Sequence, residues 1–332
     1  MLERGDCLMR TMKAVSLTVP TPGHEVRLVD VPLPESKPGW VLVKVRAFGL
    51  NHSEKLLRLS EIQSPHINKP IIPGIECAGE IADPSDSPFH VGQVVIALMG
   101  GMGRSFNGSH AEYALLPTHH VFTVDSRFSW EQLAPFPETY YTAYGSLIDC
   151  LQLEPSDRLL VRGATCALGY AAIQIAGAIG CEVIATTHRE EKRHLLQLAG
   201  VHEVLLDTGE LAGSVSDISK VLELVGARTL RDTMRCVEAG GIVCHTGVLG
   251  GEYVLNRFDP IKEIPNGGFL TGFYSNHPTQ LQVDRILKFL GLHQIAPLIG
   301  RVFPFSRINE AYGALDAGSV NGKIVVTVTS HE

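Results

Sequence analysis

Hydrophobic residues divide this chain into two parts with different periodicities. In the first part, short apolar runs alternate with polar positions and are separated by Pro and Gly, a pattern typical of half-buried β-strands. The predicted elements are strands at 12–15, 26–31, 41–46 and 93–97, a short helix at 51–59, and a loop with the sequence IIPGIECAGEI at 71–81. The pattern predicts a mostly β domain that ends near residue 138.

After residue 138 the pattern changes to strands that alternate with helices. The predicted strands are 159–161, 183–185, 203–206, 229–230, 241–245 and 269–273, and the predicted helices are 170–179, 190–199, 231–239 and 280–291. Such an order is typical of an α/β domain with a parallel, doubly wound sheet. The last 30 or so residues return to β character, so we expect three segments: 1–138 in the first domain, 139–275 in the α/β domain, and 276–332 returning to the first.

The turn between the first strand and helix of the α/β domain predicts a phosphate site. Its sequence is GATCALG at 163–169. Free N–H groups at a helix N-terminus and the helix dipole both favour an anion, and small residues allow close approach to the backbone. The candidate residues that bind the phosphate of a cofactor are Ala164, Thr165, Cys166, Ala167 and Leu168. Because Cys166 stands where glycine is common, an ordinary crossover with small packing residues is the alternative.

Composition narrows the possible partners and location. The 332 residues are 45% hydrophobic and 19% charged, with a net charge of -7, which argues against nucleic acid or an anionic membrane as the partner. No apolar run reaches the about 20 residues that span a bilayer, and residues 1–11 lack the apolar core of a signal peptide. Seven scattered cysteines without a CxxC pair predict reduced thiols in a cytoplasmic protein.

Several segments, in order along almost the whole chain, resemble one family. They are AFGLNHSE, PGIECAGEI, NGSHAEYALLP, ETYYTAYGSL, the GATCALG turn, CVEAGGIVCHTGVLGG and NGKIVV. Together they resemble the medium-chain dehydrogenase/reductase superfamily, especially its zinc-free quinone oxidoreductase-like branch. The resemblance implies a GroES-like catalytic domain and a Rossmann domain, with cofactor and substrate in the cleft between them.

Three departures from the zinc-dependent members predict that this chain holds no catalytic zinc. Those members have a cysteine, a histidine and a second cysteine where this chain has Asn51, Ile75 and Glu138. Isoleucine cannot ligate a metal, and one amide with one carboxylate is a poor zinc site.

Without a metal, the resemblance implies hydride transfer to a quinone or an α,β-unsaturated carbonyl compound, whose own carbonyl delocalises the developing charge. The candidate catalytic residues are Asn51, His52, Ser53, Glu138 and Tyr141. Asn51 would donate to a substrate oxygen or the ribose, or only cap the helix at 51–59. His52 and Ser53 would relay a proton, whereas Glu138 is equally compatible with a solvated carboxylate at a helix start.

The residues after the second α/β strand favour NADPH as the cofactor. NAD enzymes usually carry an acid there for the ribose hydroxyls, whereas this chain has Thr187 and Arg189, with Lys192 one turn on. Glu190 and Glu191 follow closely, so a solvated helix start is the alternative. The remaining predicted cofactor residues are Thr142, Thr246, Gly247, Val248, Leu249, Phe273, Asn321 and Lys323.

Two other function classes remain compatible with the sequence. The scaffold can serve a non-redox cyclase or lyase, or a nucleotide-binding regulatory protein. For each of these we expect a small-molecule ligand. The apolar strand at 269–273 would lie at the sheet edge, where relatives commonly join two sheets, and it predicts a homodimer.

Overall fold

A computed structural model describes residues 10–125 and 128–328. Cys7 and most of the predicted N-terminal extension lie outside these residues. Within them the strands are β1 (Thr11–Val15), β2 (Leu28–Pro32), β3 (Trp40–Leu50), β4 (Glu76–Asp83), β5 (Val94–Leu98), β6 (Tyr113–Pro117), β7 (Val121–Thr123), β8 (Arg158–Arg162), β9 (Glu182–Thr187), β10 (Glu203–Leu206), β11 (Ile218–Glu223), β12 (Val237–His245), β13 (Phe269–Gly272), β14 (Ile299–Pro304) and β15 (Lys323–Thr327).

The helices connect these strands and cover the parallel sheet. They are α1 (His52–Leu59), α2 (Trp130–Leu133), α3 (Tyr141–Tyr144), α4 (Ala167–Ile179), α5 (Arg193–Leu198), α6 (Ala227–Met234), α7 (Pro260–Glu263), α8 (Gln280–Leu292) and α9 (Ile308–Ala317). Two π-helical turns, Phe136–Tyr140 and Gly145–Cys150, flank α3. Each described helix is too short or too polar to cross a bilayer.

The second domain contains the predicted parallel sheet. Its strand order is β10-β9-β8-β11-β12-β13, and every neighbouring pair is parallel. Leu159 and Val161 of β8 face the core on the side of α4, whereas Leu160 belongs to the core on the other side. Burial on both faces explains the continuous apolar run of this strand. The order reverses between β8 and β11, where open α/β sheets bind their ligands.

The first domain contains a mostly antiparallel sheet in the order β14-β15-β3-β4-β5-β7, with β6 also paired to β3. β15 pairs antiparallel with β3, which places Ile324 opposite Leu50. The tail therefore returns to the first sheet. Together the two domains confirm the predicted fold class, a Rossmann-like parallel sheet with a mostly β GroES-like domain.

The predicted start of the returning segment at 276 stays a prediction. Val283, Ile286 and Leu290 of α8 belong to the same core cluster as Ile173 of α4. The same cluster contains Ile96 of β5 and Phe122 of β7, and Gln280 of α8 accepts from the Thr123 N–H at 2.9 Å, so α8 packs against both domains.

Three predicted elements are wrong. Residues 229–230 were expected in a strand and 231–239 in a helix, but α6 covers Ala227–Met234 and β12 starts at Val237. Leu230, Thr233 and Met234 are all buried, and their spacing is that of one helical face. The segment IIPGIECAGEI at 71–81 is expected as a loop, yet its second half belongs to β4, which covers Glu76–Asp83. The glycines and the proline of this segment favour a loop over a strand in the sequence. Gly79 is needed within β4, because a Cβ there would lie 2.3 Å from the Lys44 carbonyl oxygen of β3.

Candidate functional site

A cleft of about 750 Å³ lies between the two domains. The carboxyl ends of β8, β11 and β12 form one wall, and α1 with β15 forms the other. The predicted site residues that line it are Asn51, His52, Ser53, Glu138, Thr142, Thr165, Cys166, Ala167, Leu168, Arg189, Lys192, Thr246, Gly247, Val248, Leu249 and Lys323. The cleft thus contains most of the predicted site.

The predicted phosphate turn adopts the geometry that its small residues allow. Gly163 has φ +82°, and its N–H donates to Thr186 Oγ1 at 3.0 Å. Cys166 is the N-cap of α4 and its Sγ accepts from the Gly169 N–H at 3.3 Å. A Cβ on Gly169 would lie 2.2 Å from the Ala164 carbonyl oxygen, so only glycine allows this packing. Burial raises the pKa of the Cys166 thiol, which keeps it neutral beside an incoming anion.

Two cations at the far end of the cleft share one acceptor. Arg189 Nη1 and Lys192 Nζ donate to the Gly318 carbonyl oxygen at 3.5 Å and 3.2 Å. Neither forms a salt bridge with a carboxylate among residues 10–125 and 128–328. Burial, and then the charge of Arg189, lower the pKa of Lys192. This end of the cleft is therefore suited to an anion.

Asp207 also lines the cleft, but its negative charge is compensated by the buried side chain of Arg162. The buried Arg162 guanidinium donates to both Asp207 carboxylate oxygens, at 2.8 and 2.9 Å, and to Asp232 at 2.7 Å. Although burial opposes ionisation, the hydrogen bonds from Arg162 keep the pKa of Asp207 below its usual value. The carboxylate is therefore held by the protein.

A buried polar cluster occupies the catalytic end. Lys323 Nζ lies 2.7 Å from Glu76 Oε1 and donates to Asn51 Oδ1 at 2.7 Å and Thr139 Oγ1 at 2.9 Å. Asn51 Nδ2 donates to Glu76 Oε1 at 2.8 Å, and the Glu138 N–H donates to Glu76 Oε2 at 2.8 Å. The three Lys323 donors are thus engaged with protein groups, while Asn51 keeps one amide hydrogen for a ligand.

Glu138 stands in the first π-helical turn, and its two carboxylate oxygens have different surroundings. Ser275 Oγ and Thr142 Oγ1 donate to Oε1 at 3.0 and 3.2 Å. Oε2 is buried and has no hydrogen-bond partner among the described residues. Burial, and then the charge of Glu76, raise the pKa of Glu138 to about 7. Glu138 is therefore not the solvated carboxylate of the alternative interpretation.

The other predicted catalytic residues on this side of the cleft, His52, Ser53 and Asn51, are less suited to proton transfer than Glu138. Burial, and then the charge of Lys55, lower the pKa of His52, so its imidazole is neutral near pH 7. Ser53 Oγ is buried without a hydrogen-bond partner in the described chain. Asn51 occupies the N-cap position of α1, where its N–H donates to Glu54 Oε2 at 2.6 Å, while its side-chain oxygen accepts from Lys323.

Five predicted residues do not line the cleft, namely Tyr141, Ala164, Thr187, Phe273 and Asn321. Tyr141 packs its ring 5.7 Å from that of Phe273 and donates its hydroxyl to Gln282 at 2.9 Å. Both aromatic rings thus lie beside α8. Ala164, in the turn at 163–169, and Thr187, at the end of β9, are both buried.

The sequence interpretation missed Glu76, Thr139 and Ser275 as members of the cluster. Glu76 follows Ile75 in the segment that is expected to be a loop. The one signal for it in the sequence is that it belongs to PGIECAGEI, one of the segments that resemble the family. Thr139 follows Glu138 and carried no signal of its own. The described residues contain no group of three or more His, Cys, Asp or Glu side chains arranged to hold a metal.

Comparisons with known proteins agree with this architecture. Residues 37–126 match the family described as alcohol dehydrogenase GroES-like domain, and residues 167–283 match the one described as zinc-binding dehydrogenase. The quinone oxidoreductase of Homo sapiens is 27% identical over 340 aligned residues, which cover 98% of this chain and 99% of that protein.

Two solved structures show the same fold. The crystal structure of AibC has a TM-score of 0.84 at 23% identity and covers 99% of both chains. The mycobacterial Rv1454c complexed with NADPH has a TM-score of 0.82 at 22% identity, with 95% of this chain and 99% of that chain covered.

Proposed function

Because the chain belongs to the medium-chain dehydrogenase/reductase superfamily, in its quinone oxidoreductase-like branch, we propose that it is an NADPH-dependent, zinc-independent reductase of quinones or α,β-unsaturated carbonyl compounds. One observation carries the proposal: a single cleft contains the phosphate turn at one wall and the buried cluster around Glu138 and Lys323 at the other. Nucleotide and substrate would meet there.

NADPH is the proposed cofactor because the cleft has groups suited to bind both its pyrophosphate and its 2′-phosphate. The N-terminus of α4 and the turn at Gly163 would hold the pyrophosphate. Arg189 and Lys192 would bind the 2′-phosphate, since they lack a carboxylate partner in the described chain. The pairing of Asp207 with Arg162 supports this choice. Because Arg162 compensates its charge and donates to both of its oxygens, the Asp207 carboxylate would repel a phosphate only weakly and would be a poor acceptor for the ribose hydroxyls. The relative that was solved with NADPH is consistent with it.

Zinc independence is supported by the three residues at the expected ligand positions. Ile75 is buried and has no atom that can coordinate a metal, the side-chain oxygen of Asn51 accepts from Lys323, and Glu138 Oε1 accepts from Ser275. A lysine ammonium already lies beside Glu76 and Asn51, so the positive charge of this cluster comes from the chain itself.

The reduction itself needs few protein groups. The bound nicotinamide supplies a hydride. The remaining amide hydrogen of Asn51 is placed to donate to a substrate oxygen, and the apolar wall at Val248 and Leu249 would exclude water. We propose the cytoplasm as location, in keeping with the six free cysteines of the described chain.

A direct assay tests the proposal. Purified protein is mixed with NADPH and a panel of quinones and small enones, and the loss of absorbance near about 340 nm is followed, with NADH as the comparison. Consumption of NADPH that depends on an acceptor is expected. Tight NADPH binding without any turnover would contradict a reductase and favour a nucleotide-binding regulator, and substrate conversion without NADPH consumption would favour a cyclase or lyase.

We also propose that the protein forms a homodimer through the edge of its parallel sheet. β13 is the last strand of the parallel sheet, and Phe269 on it and Tyr274 just beyond it are 60% and 70% exposed. An apolar open edge of this kind is a site for pairing with a second copy.

A further inference from the structure

One carboxyl group in the cleft is arranged as a proton donor. Glu138 is partly buried and lines the cleft, and its buried Oε2 has no hydrogen-bond partner in residues 10–125 and 128–328. A buried polar atom without a partner is rare in proteins and calls for an explanation such as a bound ligand.

The two hydrogen bonds to Oε1 determine where the proton of this carboxyl group lies. Ser275 and Thr142 both donate to Oε1, so the lone pairs of that oxygen are engaged. The acidic proton therefore belongs on Oε2, the oxygen that is left for the substrate.

The charges around Glu138 favour the protonated form. Glu76 on β4 carries a like charge, and it accepts a hydrogen bond from the Glu138 backbone N–H. Lys323 on β15 has the opposite charge, but it lies 2.7 Å from Glu76 and makes its two other hydrogen bonds to Asn51 and Thr139. Tyr141 on α3 is a neutral phenol whose pKa is raised to about 12 by burial and by Asp149 and Glu138. Lys323 thus compensates Glu76 more directly than Glu138.

We propose that Glu138 is the general acid of the reduction, a role that rests on the proposed function. When the β-carbon of an enone accepts the hydride of the reduced nicotinamide, the C=C π electrons move toward the carbonyl and form an enolate. The O–H bond at Oε2 then breaks, the proton bonds to the α-carbon or the enolate oxygen, and the electron pair stays on Glu138. With a quinone the proton bonds to the oxygen, which gives the hydroquinone. Water returns a proton to Glu138 before the next turnover.

The other candidate donors are less suited to this step. Burial lowers the pKa of His52, so little imidazolium is present near pH 7. Tyr141 donates its hydroxyl to Gln282 and does not line the cleft. A carboxyl group whose pKa lies close to the working pH can both give and regain a proton efficiently.

The variant Glu138→Gln tests the role. Gln keeps the size of the side chain and an oxygen that accepts from Ser275 and Thr142, but it cannot transfer a proton. We expect kcat to fall by about 10²–10⁴-fold, the usual contribution of a general acid, with KM and NADPH affinity nearly unchanged. In the wild type, kcat should be high below the pKa and decline above about pH 7. This decline should be absent from the remaining activity of the variant.

Ser275→Ala is the matched control for a positioning role. The Ser275 hydroxyl stabilises the ionised carboxylate, so its removal should raise the pKa of Glu138 and move the decline of kcat to higher pH. A purely structural role of Glu138 would leave the position of the decline unchanged.

A spectroscopic measurement is independent of turnover. The infrared difference spectrum between wild type and Glu138→Gln, without nucleotide, should show a protonated carboxyl band that disappears around pH 7. A carboxylate ionised at every pH from about 5 to 9, or full kcat in Glu138→Gln, would overturn the proposal while leaving the reductase function intact. Absence of acceptor-dependent NADPH consumption in the wild type would instead refute the reductase function itself.

Discussion

Lys323 and Glu76 form a buried ion pair, with Nζ 2.7 Å from Oε1 and both side chains almost fully inaccessible. Replacing Lys323 with Met would leave the Glu76 charge uncompensated inside the protein. Loss of one partner of a buried pair typically costs about 3–5 kcal/mol. We expect a reduction of this size in the free energy of unfolding, measured by denaturant titration.

The double variant Lys323→Met/Glu76→Gln is the control for this prediction. It removes both charges, so part of the lost stability should return. A single variant as stable as the wild type would show that the pair carries no such energy.

The cation pair Arg189 and Lys192 should discriminate between the two nicotinamide cofactors. A hydrogen bond to an ionised group contributes about 1.5–3 kcal/mol, and each 1.4 kcal/mol is about a factor of ten. Replacing both with Ala should therefore weaken NADPH binding by about ten-fold or more and hardly change NADH binding. Fluorescence titration with each nucleotide measures both dissociation constants.

Arg193→Ala is the matched control for the cofactor prediction. Arg193 carries the same charge near the same strand, but it pairs with Glu190 and does not line the cleft. Its loss should leave NADPH affinity nearly unchanged. Equal weakening of NADH and NADPH in the double variant would mean that Arg189 and Lys192 act on the fold or on the whole cofactor.

Purified protein should contain well under one zinc per chain. The reason is the chemistry of the three positions, since Ile75 offers no ligand and the side chains of Asn51 and Glu138 already have protein partners. Elemental analysis of protein purified without added metal measures the content, and activity should survive a chelator. Stoichiometric zinc would contradict the prediction.

The exposed edge at β13 should mediate dimer formation. Phe269→Lys places a charge on the edge strand and should convert the dimer into a monomer, as measured by light scattering at micromolar concentration. Leu198→Lys on α5 changes an even more exposed apolar residue, in the helix before β10, the opposite edge strand, and should leave the dimer intact. A monomeric wild type would refute this prediction.

Local patterns in the sequence predict the parts of the site that depend on neighbouring residues. The turn at 163–169 and α4 were predicted because strand, small residues and helix follow one another, and Gly180 ends α4 in a left-handed conformation as expected. The Lys323–Glu76 contact depends on strands far apart in the chain, and no local pattern contains the pairing of β15 with β3. Of the two partners of Glu138, Thr142 is four residues away and was predicted, whereas Ser275 was hidden because it lies beyond β13.

The error at 229–239 has a related physical cause. Thr229 and Leu230 have moderate strand propensity, yet the helical spacing of Leu230, Thr233 and Met234 against the sheet decides their conformation. Tertiary packing overrides a weak propensity there.

The Gly318 carbonyl that binds Arg189 and Lys192 follows α9, in the segment that returns to the first sheet. A phosphate that binds these cations would compete with this oxygen for the hydrogens that now point to it. Any preference for NADPH would therefore be the net result of gaining the phosphate and weakening this contact, and smaller than the attraction between free ions. The same exchange would weaken a contact between the two domains, so cofactor binding and the width of the cleft would be thermodynamically linked.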